Sequence, residues 1–238
     1  MDMAIDKKYA GCTHCPVKSH CVTSWLTEEE LETFEKRAAY KIKLKRGQSL
    51  FYQGDAFKAI FAVKVGVMKT TINRSNGHEQ VTGFQMYGEI LGLDGIEGQQ
   101  HACHATALED AEVCVMPYQQ FNDLADEIPK LRWRFAELMS KQLAQNNRLM
   151  LLLGSMCAKE KVALFLLNLM DRQRSRGLST KELMLRMTRQ DIASYLGLQL
   201  ETVSRKLSNM AKVGMISVNR KYVQVTDLER LKLLTSNW

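Results

Sequence analysis

No apolar run in the 238-residue chain approaches the ~18 to 20 residues that a membrane-spanning helix needs, so no membrane role is expected. The N-terminus, MDMAIDKKYAGC, has charges where a secretory signal requires an apolar core, and it lacks the arginine-rich, acid-poor character of an organelle transit peptide. A cytoplasmic protein is expected. The chain also lacks a glycine-rich phosphate-binding loop, a paired nucleophile and base, and a ferredoxin-like second run of cysteines. These absences speak against an enzyme and against an iron–sulfur electron-transfer protein.

What is present is a soluble globular composition, 45% hydrophobic and 25% charged, long enough for two ordinary domains. The net charge of +7 is unevenly held: residues 1–158 carry 18 Lys and Arg against 19 Asp and Glu, whereas residues 159–238 carry 15 against 7. A compact basic C-terminal unit points to a polyanion as partner.

Thr27 followed by Glu28, Glu29 and Glu30 forms a capping-box pattern, with Leu31, Phe34 and Ala38 at helical spacing behind it. From Lys43 to Pro117 the chain reads as short strands, among them Leu50 to Tyr52, Ile60 to Val65, Val67 to Ile72 and Val113 to Met116. Nine of the 14 glycines fall in that stretch, which fits an antiparallel barrel or roll with many tight turns. After Pro129 the composition turns to strong helix formers. Ala136, Met139, Leu143, Asn146, Met150, Leu153 and Cys157 alternate steps of three and four, the spacing of a parallel dimer seam. A stripe packed on the barrel has the same spacing, but a polar Asn146 within it favours pairing, where it can bond its twin.

The second domain begins near Ala158. Thr188 to Leu207 has the form of a helix-turn-helix: Thr188 caps the first helix with Asp191, Ile192 and Leu196 are its buried face, and Gly197 permits the turn. Val203 and Leu207 bury the second helix, which leaves Glu201, Ser204 and Arg205 outward. Arg bonds guanine O6 and N7, and Glu accepts from cytosine N4, so these side chains suit base edges in a major groove. An ordinary surface ion pair is the plainer reading of Glu201 and Arg205, but it does not explain the local charge. Arg189, Lys206, Lys212 and Arg220 are assigned to phosphates. Met215 to Val218 and Tyr222 to Val225 read as a two-stranded wing joined by Asn219-Arg220-Lys221.

Cys12, Cys15 and Cys21 are clustered near Gly11 and Pro16, and in a reducing compartment such a cluster points to a metal centre. Three thiolates need a fourth ligand, for which Cys114, Cys103, Cys157, His14 and His20 are available, and zinc or an iron–sulfur cluster fits equally well.

In this order the pieces resemble the cyclic-AMP receptor and fumarate-and-nitrate-reduction regulator superfamily over nearly the whole chain. The resemblance is specific at the front cysteines, at Glu112-Val113-Cys114-Val115-Met116-Pro117, and at Leu196-Gly197-Leu198 with Glu201-Thr202-Val203-Ser204-Arg205. It implies an α+β fold with a cyclic-nucleotide-binding-like β-roll (double-stranded β-helix), a long dimerisation helix and a C-terminal winged helix-turn-helix. The expected divisions are a cysteine-rich segment 1–26, a roll 27–128, a helix 129–157 and a DNA-binding domain 158–238. The first two motifs point to the oxygen-sensing branch, which implies a [4Fe–4S] cluster on Cys12, Cys15, Cys21 and Cys114. Cys103 is then a thiol of the roll and Cys157 a seam residue. The resemblance further implies a homodimer on palindromic DNA with TTGAT-type half-sites read by Glu201, Ser204 and Arg205, and contact with RNA polymerase. Cyclic AMP is not expected, because Gly92-Leu93-Asp94-Gly95 and His101-Ala102 replace the residues that hold the ribose and the cyclic phosphate. Oxygen-responsive members often have an acidic residue where Asn146 stands, so a dimer that forms more readily without its cluster is expected here. A regulator with a structural zinc or a redox dithiol is the alternative, and an iron–sulfur electron-transfer protein is the reading from a different class.

Overall fold

The computed structural model describes residues 11–73, 77, 79–179 and 181–235, so the first ten residues of the expected cysteine-rich segment 1–26 lie outside the described residues. The chain divides into two compact units, Met1–Ala144 and Gln145–Trp238.

In the first unit a loop containing Cys12, Cys15 and Cys21 leads into helix α1 (Glu28–Ala38), which starts with the expected capping box: Glu30 N donates to Thr27 Oγ1 and Thr27 N donates to Glu30 Oε2. Eight strands follow: β1 (Tyr40–Leu44), β2 (Ser49–Phe51), β3 (Ala59–Val65), β4 (Met68–Asn73), β5 (Glu79–Gln85), β6 (Ile90–Leu91), β7 (His104–Ala107) and β8 (Ala111–Pro117). They form two four-stranded antiparallel sheets, β1-β8-β3-β6 and β2-β7-β4-β5, whose inward side chains make one core around Val63, Met68, Ala105 and Val113. The short helix α2 (Gly95–Gly98) interrupts the roll. Gly66 turns β3 into β4 at φ 86°, where a Cβ would lie 2.9 Å from Asp110 O; only glycine fits.

A second core lies between the roll and its helices. Leu31 and Phe34 of α1 meet Ile60, Met116 and, from helix α3 (Tyr118–Glu127), Phe121 and Leu124, with Leu131 from the next helix. Helix α3 had no counterpart in the sequence reading. Helix α4 (Pro129–Ser155) is the expected long helix and runs through the point of division between the units. Leu131, Leu152 and Met156 are buried, whereas the seam positions Ala136, Met139, Leu143, Asn146, Met150 and Leu153 are all exposed, Leu143 by 62% and Met150 by 64%. Neither unit buries its own part of the seam as a stripe. Cys157 does not belong to it: α4 ends at Ser155, and Cys157 is the N-cap of helix α5 (Ala158–Arg174), its N–H donating to Glu160 Oε2 at 2.8 Å.

The second unit continues with β9 (Glu182–Met184), α6 (Arg189–Leu196), α7 (Leu200–Lys212), β10 (Ile216–Asn219), β11 (Tyr222–Val225) and α8 (Leu228–Leu233). The wing has three strands rather than two, in the order β10-β11-β9, because β11 pairs on its other edge with Glu182–Met184. Lys161 of α5 is buried, and its Nζ donates to Leu153 O at 3.1 Å and Leu196 O at 3.4 Å, satisfying carbonyls at the ends of α4 and α6.

Candidate nucleic-acid interface and metal centre

The helix-turn-helix forms as its sequence dictates. Thr188 Oγ1 accepts from Asp191 N at 3.0 Å, and the Asp191 carboxylate accepts from Thr188 N at 2.8 Å, so the first turn of α6 is closed on both sides. Gly197 caps α6 in the left-handed region at φ 62°, and α7 then buries Val203, Leu207 and Met210. Glu201 and Arg205 are exposed one turn apart, with Ser204 partly exposed beside them. Ser208 and Lys212 extend the same exposed face by two further turns.

The cations assigned to phosphates divide into two kinds. Lys212 and Arg220 are exposed and Lys206 is partly exposed. Arg189 instead donates from Nη2 to Arg220 O at 3.3 Å, and burial pushes its pKa down. It braces the wing turn, where Arg220 sits at φ 54°, an unusual conformation for a residue with a Cβ.

In the first unit, Glu35 of α1 anchors the start of the cysteine loop: its carboxylate accepts from Gly11 N and, at 3.2 Å, from Cys12 N. Cys12 is buried, and its thiol is pushed well up by burial first and then by Cys114, Cys21, Glu35 and Cys15. Cys114, on β8, is pushed up to about 12 by burial and the Cys21 charge, with Cys15 adding to it and Lys64 opposing. Burial likewise raises Cys21. The fold therefore gathers the four thiols within electrostatic reach of one another. Among the described residues no three His, Cys, Asp or Glu side chains stand close enough to share a single metal ion. Lys64 flanks them; burial opposes its charge, but the Glu112 carboxylate at 3.1 Å holds it charged.

Of the other donors, His14 and His20 belong to the cysteine loop, His14 exposed and His20 packed against Gly88. Cys103 is buried in the roll and donates to Asp94 Oδ2, and Cys157 is the N-cap of α5.

Residues 41–127 match the model of the cyclic nucleotide-binding domain and residues 160–234 that of the Crp-like helix-turn-helix domain. The chain is 39% identical to the anaerobic regulatory protein of Haemophilus influenzae over 94% of this chain and 87% of that one. It is 37% identical to the fumarate and nitrate reduction regulatory protein of Yersinia pestis, over 95% of this chain and 90% of that one. The chain belongs to the fumarate-and-nitrate-reduction regulator branch of the Crp/Fnr family. It is a DNA-binding transcription regulator of the anaerobic kind and not an enzyme. Among solved structures, FixK2 from Bradyrhizobium japonicum matches with a TM-score of 0.76 at 26% identity, over 82% of this chain and 96% of that one. No helix among the described residues is long and apolar enough to cross a membrane.

Proposed function

We propose that this regulator of the Crp/Fnr family senses oxygen through an iron–sulfur cluster held by Cys12, Cys15, Cys21 and Cys114, and that the loaded form is the DNA-binding homodimer. The observation that carries the reading is the gathering of three thiols from one loop with that of Cys114 on β8 in a partly buried place, where burial and neighbouring thiols push Cys12, Cys21 and Cys114 up. Cys12, Cys21 and Cys114 so placed stay protonated on their own, and a cationic centre reverses that balance by stabilising their thiolates together. The donors are soft and all sulfur, which suits a [4Fe–4S] cluster. When bound, the cluster supplies the oxygen-reactive chemistry. Glu35 fixes the loop that presents Cys12, and Lys64 offsets part of the accumulated negative charge.

The exposed apolar seam on α4 is the surface through which two copies pair. Pairing sets two α7 helices at a palindrome, where Glu201, Ser204 and Arg205 read base edges while Lys206, Lys212 and Arg220 hold phosphates. TTGAT-type half-sites and contact with RNA polymerase accompany this reading through the family. Cyclic AMP has no place in it. Asp94 Oδ2 already accepts from Ala102 N at 2.7 Å and Cys103 N at 3.3 Å, so those N–H groups are occupied and an acid faces the position a phosphate would need.

Cys114→Ser tests the reading most sharply, because a centre built only from the front loop does not need that residue. The expected result is loss of visible absorbance and of high-affinity DNA binding in anaerobically prepared protein, with the fold intact by circular dichroism. A Cys114→Ser protein that keeps both, or that holds stoichiometric zinc, contradicts it.

A further inference from the structure

Arg134 lies on the second turn of α4, two residues before the first seam position, Ala136. Its side chain is only 13% exposed. The guanidinium Nε donates to the carbonyl oxygen of Cys21 at 3.3 Å. The same guanidinium stacks over the Trp25 ring, 5.6 Å from its centroid, and Nη1 bonds Glu137 Oε2 at 2.6 Å, one turn further along the helix. One side chain thus bonds the backbone of a proposed cluster ligand, stacks on Trp25 just beyond the cysteine loop, and is tied to Glu137 of its own helix beside the first seam position. Lys130 Nζ pairs with Glu30 nearby, but it reaches the cap of α1 and not the cysteine loop.

We propose that Arg134 is the positioning residue that transmits the state of the cysteine loop to α4. The inference rests on the cluster reading above and adds the route by which occupancy of the loop reaches the dimer seam. When Cys21 is held by the centre, its carbonyl stays within reach of Nε. The guanidinium is then fixed between Trp25 and Glu137, and the first turns of α4 are held in one arrangement. When the ligand is lost the loop is free to move, the acceptor at Cys21 leaves, and the constraint on α4 goes with it. A planar guanidinium suits the task because it can bond in two directions and stack at once, which an ammonium cannot do.

The test compares wild type, Arg134→Met and Arg134→Lys, each prepared without oxygen and then stripped of metal. Visible absorbance measures loading and sedimentation measures dimerisation. A charged hydrogen bond is worth about 1.5 to 3 kcal/mol, and every 1.4 kcal/mol is tenfold, so the strengthening of the dimer on loading should fall by about tenfold or more in Arg134→Met. Its absorbance should equal that of wild type. Arg134→Lys, which keeps the charge and can donate to one of the two acceptors, should restore part of the difference. Trp25→Leu, at a half-exposed position, should give an intermediate loss without disturbing the fold. An Arg134→Met protein that loads and dimerises as wild type does overturns the proposal. So does one that cannot load at all while Trp25→Leu behaves as wild type, since Arg134 would then belong only to the loop's fold. A wild-type protein without absorbance contradicts the cluster reading itself.

Discussion

The residues that shape the cysteine loop are mostly not cysteines. Glu35 ties down its start, Arg134 holds its end, and Gly88 makes room for its middle. A Cβ on Gly88 would lie 2.6 Å from His20 Cβ, and the backbone there has φ 82°. Gly88→Ala therefore carries two costs: the left-handed conformation, about 1 to 2 kcal/mol, and displacement of His20, the neighbour of Cys21. Gly47, also at φ 82° but with nothing within 4 Å, carries only the first. Thermal denaturation of the two alanine variants should show the Gly88 variant less stable than the Gly47 variant, with faster bleaching in air. Equal stabilities would show that His20 moves aside freely. None of these roles was legible in sequence, because each depends on a neighbour far away along the chain. The cysteines were legible, since clustering of a rare residue is itself a signal.

Elements whose ends are set by adjacent residues were read correctly from sequence. Both threonine capping boxes, the Gly197 turn and the start of α4 at Pro129 rest on local chemistry and occur where that chemistry places them. Elements made by distant pairing were missed. Strand β9 has three residues and no alternation long enough to detect; it exists because the edge of β11 was open. Cys157 continued the seam's spacing, yet the helix ends before it, since spacing alone does not mark a terminus. At the junction Lys161 replaces what a local cap would do, by donating to carbonyls of two helices. Lys161→Met keeps the volume and strands both acceptors in a buried place. It should lower unfolding free energy by about 1 to 3 kcal/mol, measured by urea denaturation. No change would mean that the carbonyls find other donors.

For the whole molecule, thiols and positive charge are divided between the two halves. Residues 1–158 are close to neutral and contain the thiols, and the basic excess lies in residues 159–238 with the winged helix-turn-helix. Lys206, Lys212 and Arg220 in each of two protomers would make about six phosphate contacts, which gives a slope near −5 in log affinity against log salt. Lys212→Ala should reduce that slope by about 2 and weaken all DNA sequences alike, whereas Arg205→Ala should act on the preferred half-site. An unchanged slope would remove Lys212 from the interface. That the thiols of one half govern the grip of the other is checked by recording visible absorbance and affinity for a TTGAT-type palindrome on one anaerobic sample before and after air is admitted. The expected result is a brown protein that binds tightly, then bleaches and releases DNA together. A colourless protein that retains zinc and binds equally well in air would contradict it.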